Sequence, residues 1–333
     1  MTSLPPLALT MGDPAGIGGD VSLKAWQALR NDPSAPPFFL ITDADHLKTI
    51  AGDRVPISVI EAPDQTRSVF PTALPVLHRP LTAATVAGTP NPDNAPAILG
   101  SIDTAVRLVQ QGLASAVVTN PIHKQSLYQA GFIHPGHTEY LAALAGISTP
   151  PVMMLACPSL RVVPLTVHMA LADAIESLST DLIVTLAEIT AQALVNDFAI
   201  ADPHLAIAGL NPHAGEGGGM GNEENTIIAP AIDRLNQMGI AASGPWPPDT
   251  LFHQAARTGY DAAICMYHDQ ALIPIKTIDF HGAVNVTLGL PFVRTSPDHG
   301  TAFDIAGSGQ ADDSSLRAAL GMAALMAARR SAS

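Results

Sequence analysis

The feature of this chain that most constrains its fold is a regular alternation of short apolar runs with segments of helical periodicity. The apolar runs are LALTM, PFFLITD, VPISVIEA, SAVVTN, VMMLA, RVVPLTVH, LAIAGL, DAAICMY and AVNVTLG. The helical segments are residues 21–29, 96–111, 181–197, 223–238, 250–257 and 314–330, with shorter ones in PIHKQSLYQAG and TEYLAALAG. Such runs are typical of buried strands, and strands that alternate with helices pair in parallel. The sequence therefore predicts an α/β fold with a doubly wound parallel sheet.

Chain length indicates more than one domain. A chain of 333 residues is long enough for two domains that share a crevice. We expect both domains to be α/β, because the strand–helix alternation continues along the whole chain. We place the first at residues 1–126 plus 288–333 and the second at residues 127–287.

Charge and composition exclude several classes of partner. The net charge of -13 argues against nucleic acid, because a phosphate backbone requires a basic face. An anionic small molecule stays possible, since a few local cations or helix N-termini suffice to bind it. No uncharged apolar stretch reaches the roughly 18 residues of a bilayer span. The N-terminal segment lacks a basic leader, and Cys157 and Cys265 lie in apolar runs. We therefore expect core packing of both thiols in a cytoplasmic protein without membrane contacts.

Three histidines stand at or just beyond the ends of apolar runs. His168 follows RVVPLTV, His213 follows LAIAGL and His268 follows AAICMY. Ligands of parallel α/β folds collect beyond the carboxyl ends of strands, so three imidazoles there could hold a metal ion with an open position for a substrate oxygen. A single histidine at a strand end is more often hydrogen-bonded or solvated. From the residues alone, the two interpretations carry equal weight.

Two glycine-rich loops suggest dinucleotide binding, but neither has the standard spacing. Gly12, Gly16 and Gly18 are spaced GxxxGxG, and GEGGGMG at residues 215–221 has Met220 where the last glycine of GxGxxG would fall. A standard Rossmann site is therefore disfavoured. Each loop follows a strand and opens a helix, so its backbone N–H groups could still bind an anion. The alternative for either loop is a tight turn that needs positive φ.

Longer motifs resemble known families. HGTAFDIAG at residues 299–307 resembles the nucleotide-binding loop of the isocitrate and isopropylmalate dehydrogenases, and GDPAGIGGD resembles their N-terminal glycine turn. Segments spread from residue 11 to residue 302 resemble the 4-hydroxythreonine-4-phosphate dehydrogenase family of vitamin B6 synthesis. These segments are MGDPAGIG, NPIHK, GHTEYLA, GLNPHAGEGG, PPDTLF, MYHDQ and NVTLGLPFVRTSPDHGTA.

This resemblance implies an architecture and an assembly. The fold is expected to be that of the isocitrate and isopropylmalate dehydrogenases, with two α/β domains around a central cleft. The first domain would carry the nucleotide, and the second the metal, the substrate contacts and the dimer interface. The active site is expected to lie at the subunit interface of a homodimer.

The same resemblance assigns roles to individual residues. One divalent ion (Zn, Co, Mn or Mg) is expected on His168, His213 and His268. The substrate-binding residues are expected to be His137, Thr138, Lys276, Asn285 and Arg294. NAD or NADP is expected on Gly12, Gly300, Thr301, Ala302 and Asp304.

The general base is not readable from the motifs. Lys276 is our first choice, and Asp249 and Asp269 are candidates for moving protons or orienting the metal's histidines. For Asp249, a plain helix N-cap is an equally good interpretation.

Three functions remain open at this point. The first is metal-dependent, NAD(P)-linked oxidation of the C3 hydroxyl of 4-phosphooxy-L-threonine. The second keeps the fold and cofactor but oxidises a sugar-acid 4-phosphate such as D-threonate or D-erythronate 4-phosphate. The third is a nicotinamide-independent phosphate acyltransferase of the same superfold. The histidine trio and the HGTAFDIAG loop argue against the third, because acyl transfer to phosphate needs neither.

Overall fold

The structure is a computed structural model that describes residues 4–332. The chain forms two compact units. Unit 1 reaches to Pro150 and resumes over Leu290–Ser331, and unit 2 spans Pro151–Gly289. Each unit contains six strands of a twelve-stranded sheet and its own helices, which agrees with the expected α/β class.

Unit 1 contains six strands, all paired in parallel. In order across the sheet they are β3 (Ile57–Ile60), β4 (Leu74–His78), β2 (Phe38–Thr42), β1 (Leu7–Thr10), β5 (Val117–Val118) and β12 (Arg294–Pro297). The helices are α1 (Gly18–Leu29), α2 (Ala44–Ala51), α3 (Thr66–Val69), α4 (Ala95–Gln110), α5 (Lys124–Gln129), α6 (His137–Ala145) and α12 (Ser314–Arg330). Every residue of β1, β2 and β12 is buried, as expected for strands covered on both faces.

One core of unit 1 explains where its first segment ends. Phe39 and Ile41 of β2 pack with Ile102 of α4 and with Leu141 of α6. Residues 127–150 carry α6, so they belong to unit 1. We had expected them in the second domain, with a boundary at residue 126. The amphipathic face of α6 is covered by α4, and this partner could not be identified from the periodicity of α6 itself.

Unit 2 also contains six strands, but their pairing is mixed. In order they are β11 (Val284–Leu288), β6 (Val152–Cys157), β7 (Leu160–Pro164), β10 (Ala262–Cys265), β8 (Leu205–Ala208) and β9 (Ala242–Trp246). The pairings of β6 with β7 and with β11 are antiparallel, and the others are parallel. Only two residues join β6 to β7, and a parallel crossover needs about a dozen or more. The expectation of a purely parallel sheet was therefore wrong for this part of unit 2.

The helices of unit 2 differ from expectation in two places. They are α7 (Leu171–Ser177), α8 (Thr180–Phe198), α9 (Ala229–Gln237), α10 (Pro248–Leu251) and α11 (His268–Ile278). The expected helix over residues 250–257 is instead the short α10 followed by a 3-10 turn at Ala256–Gly259. The expected helix over residues 223–238 opens with a π-helical turn at Glu224–Ile228 before α9 begins.

The two cysteines lie in the core of unit 2. Cys157 and Cys265 are buried with free thiols among Leu155, Val162 and Ile275. Burial raises the pKa of the Cys265 thiol well above its ordinary range. The predicted packing role is confirmed.

Among residues 4–332, no single helix is long and apolar enough to cross a bilayer. Helices α7 and α8, which meet at a bend of 91°, have the required length and composition only when they are taken together.

Candidate functional site

Parallel pairing in unit 2 brings two of the three histidines together. Strands β7 and β10 run side by side, with Pro164 opposite Cys265. Beyond them the chains stay in contact, because the amide of Leu165 donates to the carbonyl oxygen of Cys265 at 2.8 Å. His168 and His268 follow within a few residues, and their ring centroids are 6.1 Å apart. A cavity of about 550 Å³ opens beside these two rings.

Asp269 is positioned to orient one of these rings. Its Oδ1 lies 2.7 Å from Nδ1 of His268. When Nδ1 carries the proton, it donates to the carboxylate and leaves the Nε2 lone pair available to a ligand. A carboxylate behind a histidine is a common arrangement in metal sites, so the donor set around this pair fits a divalent ion.

His213 lies in a separate loop with unusual backbone geometry. It follows β8 and begins a run in which five consecutive residues, 213–217, have left-handed φ values between 46° and 77°. His213, Ala214 and Glu216 are not glycines, so each adopts a conformation that costs about 1–2 kcal/mol. Strain of this kind persists only where surrounding contacts determine it, and it concentrates at functional sites.

A buried carboxylate holds this loop in place. Oε1 of Glu224 accepts from the amides of Leu210 and Asn211 at 2.8 and 2.7 Å, and Oε2 accepts from the side-chain amide of Asn211. Glu224 is 3% exposed. A Cβ at Gly215 would lie 2.6 Å from Glu224 Oε2, so a residue with a side chain would clash with this carboxylate. No role for Glu224 was predicted from the sequence.

Within one chain the three histidines do not form one cluster. Over residues 4–332, no group of three or more His, Cys, Asp or Glu side chains is close enough to hold an ion. The structure brings His168 and His268 together and leaves His213 exposed on its own loop.

The remaining candidates of unit 2 lie on α10, α11 and β11. Lys276 is on α11, with its Nζ 5.8 Å from the ring centroid of Phe280, and Asn285 lies in β11 opposite Leu155. Asp249 is the second residue of α10, and the N-cap is Pro247 without a side-chain hydrogen bond. The N-cap interpretation of Asp249 was therefore wrong.

In unit 1, three expected substrate contacts meet around the start of α6. His137 and Thr138 are its first two residues, preceded by the N-cap Gly136. Arg294 begins β12, is 3% exposed and donates from Nη2 to the hydroxyl of Thr119 at 2.7 Å. Burial lowers the pKa of Arg294 to about 10, which still leaves the guanidinium charged at neutral pH.

His137 is electrostatically unusual. Burial, the charge of Arg294 and the charge of Lys124 all lower its pKa well below the ordinary value of 6.5. The ring is therefore neutral at pH 7. Its Nε2 is buried and has no hydrogen-bond partner among the described residues. An anion could bind here, because two cations and the start of a helix lie next to the uncharged imidazole.

In unit 1, the N-terminal glycine loop around Gly16 lies against the later loop that contains Thr301. The amide of Ile17 donates to the carbonyl oxygen of Thr301 at 3.0 Å, and a Cβ at Gly16 would lie 2.8 Å from that oxygen. Ala302 adopts a left-handed φ of 43°. No described atom lies within 4 Å of the Cβ position of Gly300, so space is open there. The backbone at Gly300 is exposed, whereas the facing loop is buried at Gly12 and Gly16.

The residues just described define an α/β protein with cationic side chains around the start of α6 and an imidazole pair just beyond two strand ends. Comparison with known proteins gives the family. Residues 34–323 match the family described as "Pyridoxal phosphate biosynthetic protein PdxA". The chain belongs to this family, and the resemblance inferred from its motifs is confirmed.

Individual relatives agree over nearly the full length. The chain is 53% identical over 330 residues to "4-hydroxythreonine-4-phosphate dehydrogenase" of Caulobacter vibrioides, covering 98% of each chain. It resembles the crystal structure of the protein of that name from Klebsiella pneumoniae with a TM-score of 0.87 and 35% identity, covering 97% and 99%. A "Terephthalate 1,2-cis-dihydrodioldehydrogenase" of Burkholderia xenovorans LB400 has a TM-score of 0.66 and 26% identity, covering 97% and 98%.

Proposed function

We propose that this protein is an NAD- or NADP-dependent 4-hydroxythreonine-4-phosphate dehydrogenase in the biosynthesis of pyridoxal 5'-phosphate. It removes a hydride from C3 of 4-phosphooxy-L-threonine and a proton from the C3 hydroxyl. The product, 2-amino-3-oxo-4-phosphooxybutanoate, is a β-keto acid and loses carbon dioxide to give 3-amino-2-oxopropyl phosphate. The observation that carries the proposal is the 53% identity over 98% of both chains to a relative with this name.

Substrate binding starts at the phosphate in this proposal. Arg294 and the first turn of α6, with Thr138, bind the phosphate oxygens, and the neutral His137 donates or accepts one further hydrogen bond. The buried position of Arg294 and its bond to Thr119 support this role, because they hold the guanidinium in one orientation. Lys276 and Asn285 contribute contacts to the remainder of the substrate.

A divalent ion, Zn, Co, Mn or Mg, is proposed on His168, His213 and His268. Such an ion lowers the pKa of a bound hydroxyl and polarises the ketone that forms from it. The contact between His268 and Asp269 supports the assignment, because it fixes which ring nitrogen faces the ligand. Lys276 is our choice for the base that takes the hydroxyl proton, with Asp249 and Asp269 as the alternatives.

The nicotinamide cofactor is proposed to bind the two facing loops of unit 1. The binding residues are Gly12, Gly300, Thr301, Ala302 and Asp304. The hydrogen bond between Ile17 and Thr301 supports this assignment, because it holds the two loops as one surface.

A homodimer completes the metal site in this proposal. Three large apolar side chains, Met169, Leu171 and Ile175, are 48%, 56% and 39% exposed directly after His168. Apolar side chains grouped beside polar ligands are typical of a protein interface. A second subunit that covers them would bring its own His213 loop to the His168–His268 pair. We place the dimer in the cytoplasm, where the two thiols of the core stay reduced.

The function is tested by product analysis. The purified protein is incubated with 4-phosphooxy-L-threonine, each nicotinamide cofactor and each divalent ion. We expect one reduced nicotinamide and one carbon dioxide per substrate consumed, with 3-amino-2-oxopropyl phosphate identified by mass spectrometry. Turnover of D-erythronate or D-threonate 4-phosphate without turnover of the amino acid would assign the sugar-acid function instead.

A further inference from the structure

A lysine to which the motifs gave no role lies at the start of α6. Lys124 is the first residue of α5 and is exposed. Its Cε and Nζ both lie 3.3 Å from the position that a Cβ on Gly136 would occupy. Gly136 is the N-cap of α6, so the ammonium group lies against the backbone where the free N–H groups of that helix begin. The missing side chain at Gly136 is what leaves room for Lys124.

The charges around this point are unbalanced toward positive. Lys124 and Arg294 both act on the imidazole of His137, and both disfavour its protonation. A carboxylate is also nearby: Glu139 acts on Arg294, and its Oε2 lies 3.4 Å from the same Cβ position at Gly136. One carboxylate faces two permanent cations and a helix N-terminus, so a dianion would be electrostatically favoured here.

We propose that Lys124 is a further ligand of the substrate's 4-phosphate, in addition to Arg294 and the start of α6. The proposal rests on the proposed function for the identity of the substrate, but not for the binding of phosphate itself. A phosphate monoester has three terminal oxygens, and the guanidinium of β12, the first amides of α6 and the ammonium of α5 come from three different elements. Lys124 is exposed in the structure, so pairing with phosphate requires little loss of hydration. Because its positive charge attracts a phosphate dianion more strongly than a neutral hydroxyl, Lys124 favours a phosphorylated substrate over one with a free hydroxyl.

The test compares Lys124→Met with Lys48→Met. Lys48 is also an exposed lysine of unit 1, and it forms a surface ion pair with Asp45. Binding of inorganic phosphate is measured by calorimetry. We expect Lys124→Met to weaken it about tenfold, as for loss of one charge-assisted hydrogen bond, and Lys48→Met to leave it unchanged. Lys124→Arg should restore most of the affinity.

Kinetics give a second measurement. In Lys124→Met, KM for 4-phosphooxy-L-threonine should rise about tenfold while kcat changes less than threefold, because the contact lies away from C3. Turnover of the unphosphorylated 4-hydroxy-L-threonine should be equal in wild type and variant. A folding defect would instead lower both activities and change the circular dichroism spectrum.

The outcomes separate this proposal from the function. Unchanged phosphate affinity and KM in Lys124→Met would overturn the role of Lys124 and leave the dehydrogenase assignment intact. Absence of phosphate binding by the wild-type protein would overturn it as well. If the wild type binds phosphate through Lys124 but does not oxidise 4-phosphooxy-L-threonine, the function is wrong and the phosphate ligand stands.

Discussion

At His137, burial and two neighbouring cations all lower the pKa of the imidazole. All three favour the neutral ring, and its buried Nε2 has no partner among the described residues. The motifs identified His137, Thr138 and Arg294 as candidates without indicating this electrostatic environment. Lys124 escaped prediction because an exposed lysine after a strand has the same sequence signature as any solvated lysine. Only the approach of α5 to Gly136 distinguishes it.

The lowered pKa of His137 predicts a pH dependence of stability. Since the pKa of the folded state lies below the ordinary value of 6.5, the unfolded chain binds the proton more readily. The contribution of His137 is therefore fully present above pH 6.5 and is lost as pH falls below it toward the folded-state pKa. The free energy of unfolding should fall between about pH 7.5 and pH 5.5 in the wild type, and fall less in His137→Gln. Denaturant titrations at both pH values measure this, and an equal fall in the two proteins would contradict it.

At the scale of elements, the sequence predicted the segments whose local and tertiary preferences agree. Helix α12 has the predicted bounds, and β1, β2, β8 and β10 lie within the predicted runs. Strands β4 and β12 were missed because their residues, LPVLH and RTSP, include prolines and polar side chains that are disfavoured in strands. The parallel assignment failed where a two-residue turn makes β6 and β7 antiparallel. The left-handed run after β8 has no periodicity and depends on Glu224, fourteen residues from the bonded amide of Leu210.

The contact between the two glycine loops predicts opposite effects for two glycine substitutions. In Gly16→Ala the new Cβ would lie 2.8 Å from the backbone oxygen of Thr301. We expect the free energy of unfolding to fall by about 1–3 kcal/mol, and the affinity for the nicotinamide cofactor to fall with it. Gly321→Ala is the matched control, because Gly321 lies on the exposed side of α12 and a Cβ there meets no atom within 4 Å. This variant should gain about 0.5–1 kcal/mol. Equal effects of the two substitutions would refute the close approach.

The loop that carries His213 should depend on one buried carboxylate. Glu224→Gln replaces an acceptor of two backbone amides with a group that has a single acceptor oxygen and no charge. We expect a loss of about 1–3 kcal/mol in unfolding free energy and weaker binding of divalent ions. Glu223→Gln, at a half-buried neighbour that accepts from the side-chain amide of Asn211, should change stability by less than about 0.5 kcal/mol. Isothermal titration with Zn²⁺ and Co²⁺ measures the affinity for divalent ions. Unchanged affinity in Glu224→Gln would show that the conformation of the His213 loop does not affect metal binding.

At the scale of the whole molecule, one chain carries an imidazole pair in unit 2, a third histidine on a separate loop, and exposed apolar side chains next to the pair. The class of fold and the family were predictable from the alternation of elements and from the motifs. The pattern of residues does not show whether metal ligands meet within a chain or between copies, and only the family resemblance implied a site at a subunit interface.

The proposed dimer predicts a change in oligomeric state that accompanies a change in metal binding. Leu171→Glu places a charge at a site that we assign to the interface. We expect analytical ultracentrifugation to show a dimer for the wild type and a monomer for the variant, with divalent-ion affinity reduced about a hundredfold or more, as for loss of one of three ligands. Val59→Glu, at a 51% exposed position on the edge strand β3, should stay dimeric. A monomeric wild type that binds the ion with full affinity would show that no second subunit is needed.

If the proposed function is correct, this protein oxidises a phosphorylated hydroxy amino acid at C3. The most direct measurement is kcat/KM for 4-phosphooxy-L-threonine, D-erythronate 4-phosphate and D-threonate 4-phosphate, followed through the near-ultraviolet absorbance of the reduced nicotinamide with metal supplied. We predict the highest value for 4-phosphooxy-L-threonine, and its loss when a chelator removes the ion. Formation of no reduced nicotinamide from any of the three substrates, with either cofactor and every divalent ion, would contradict the account.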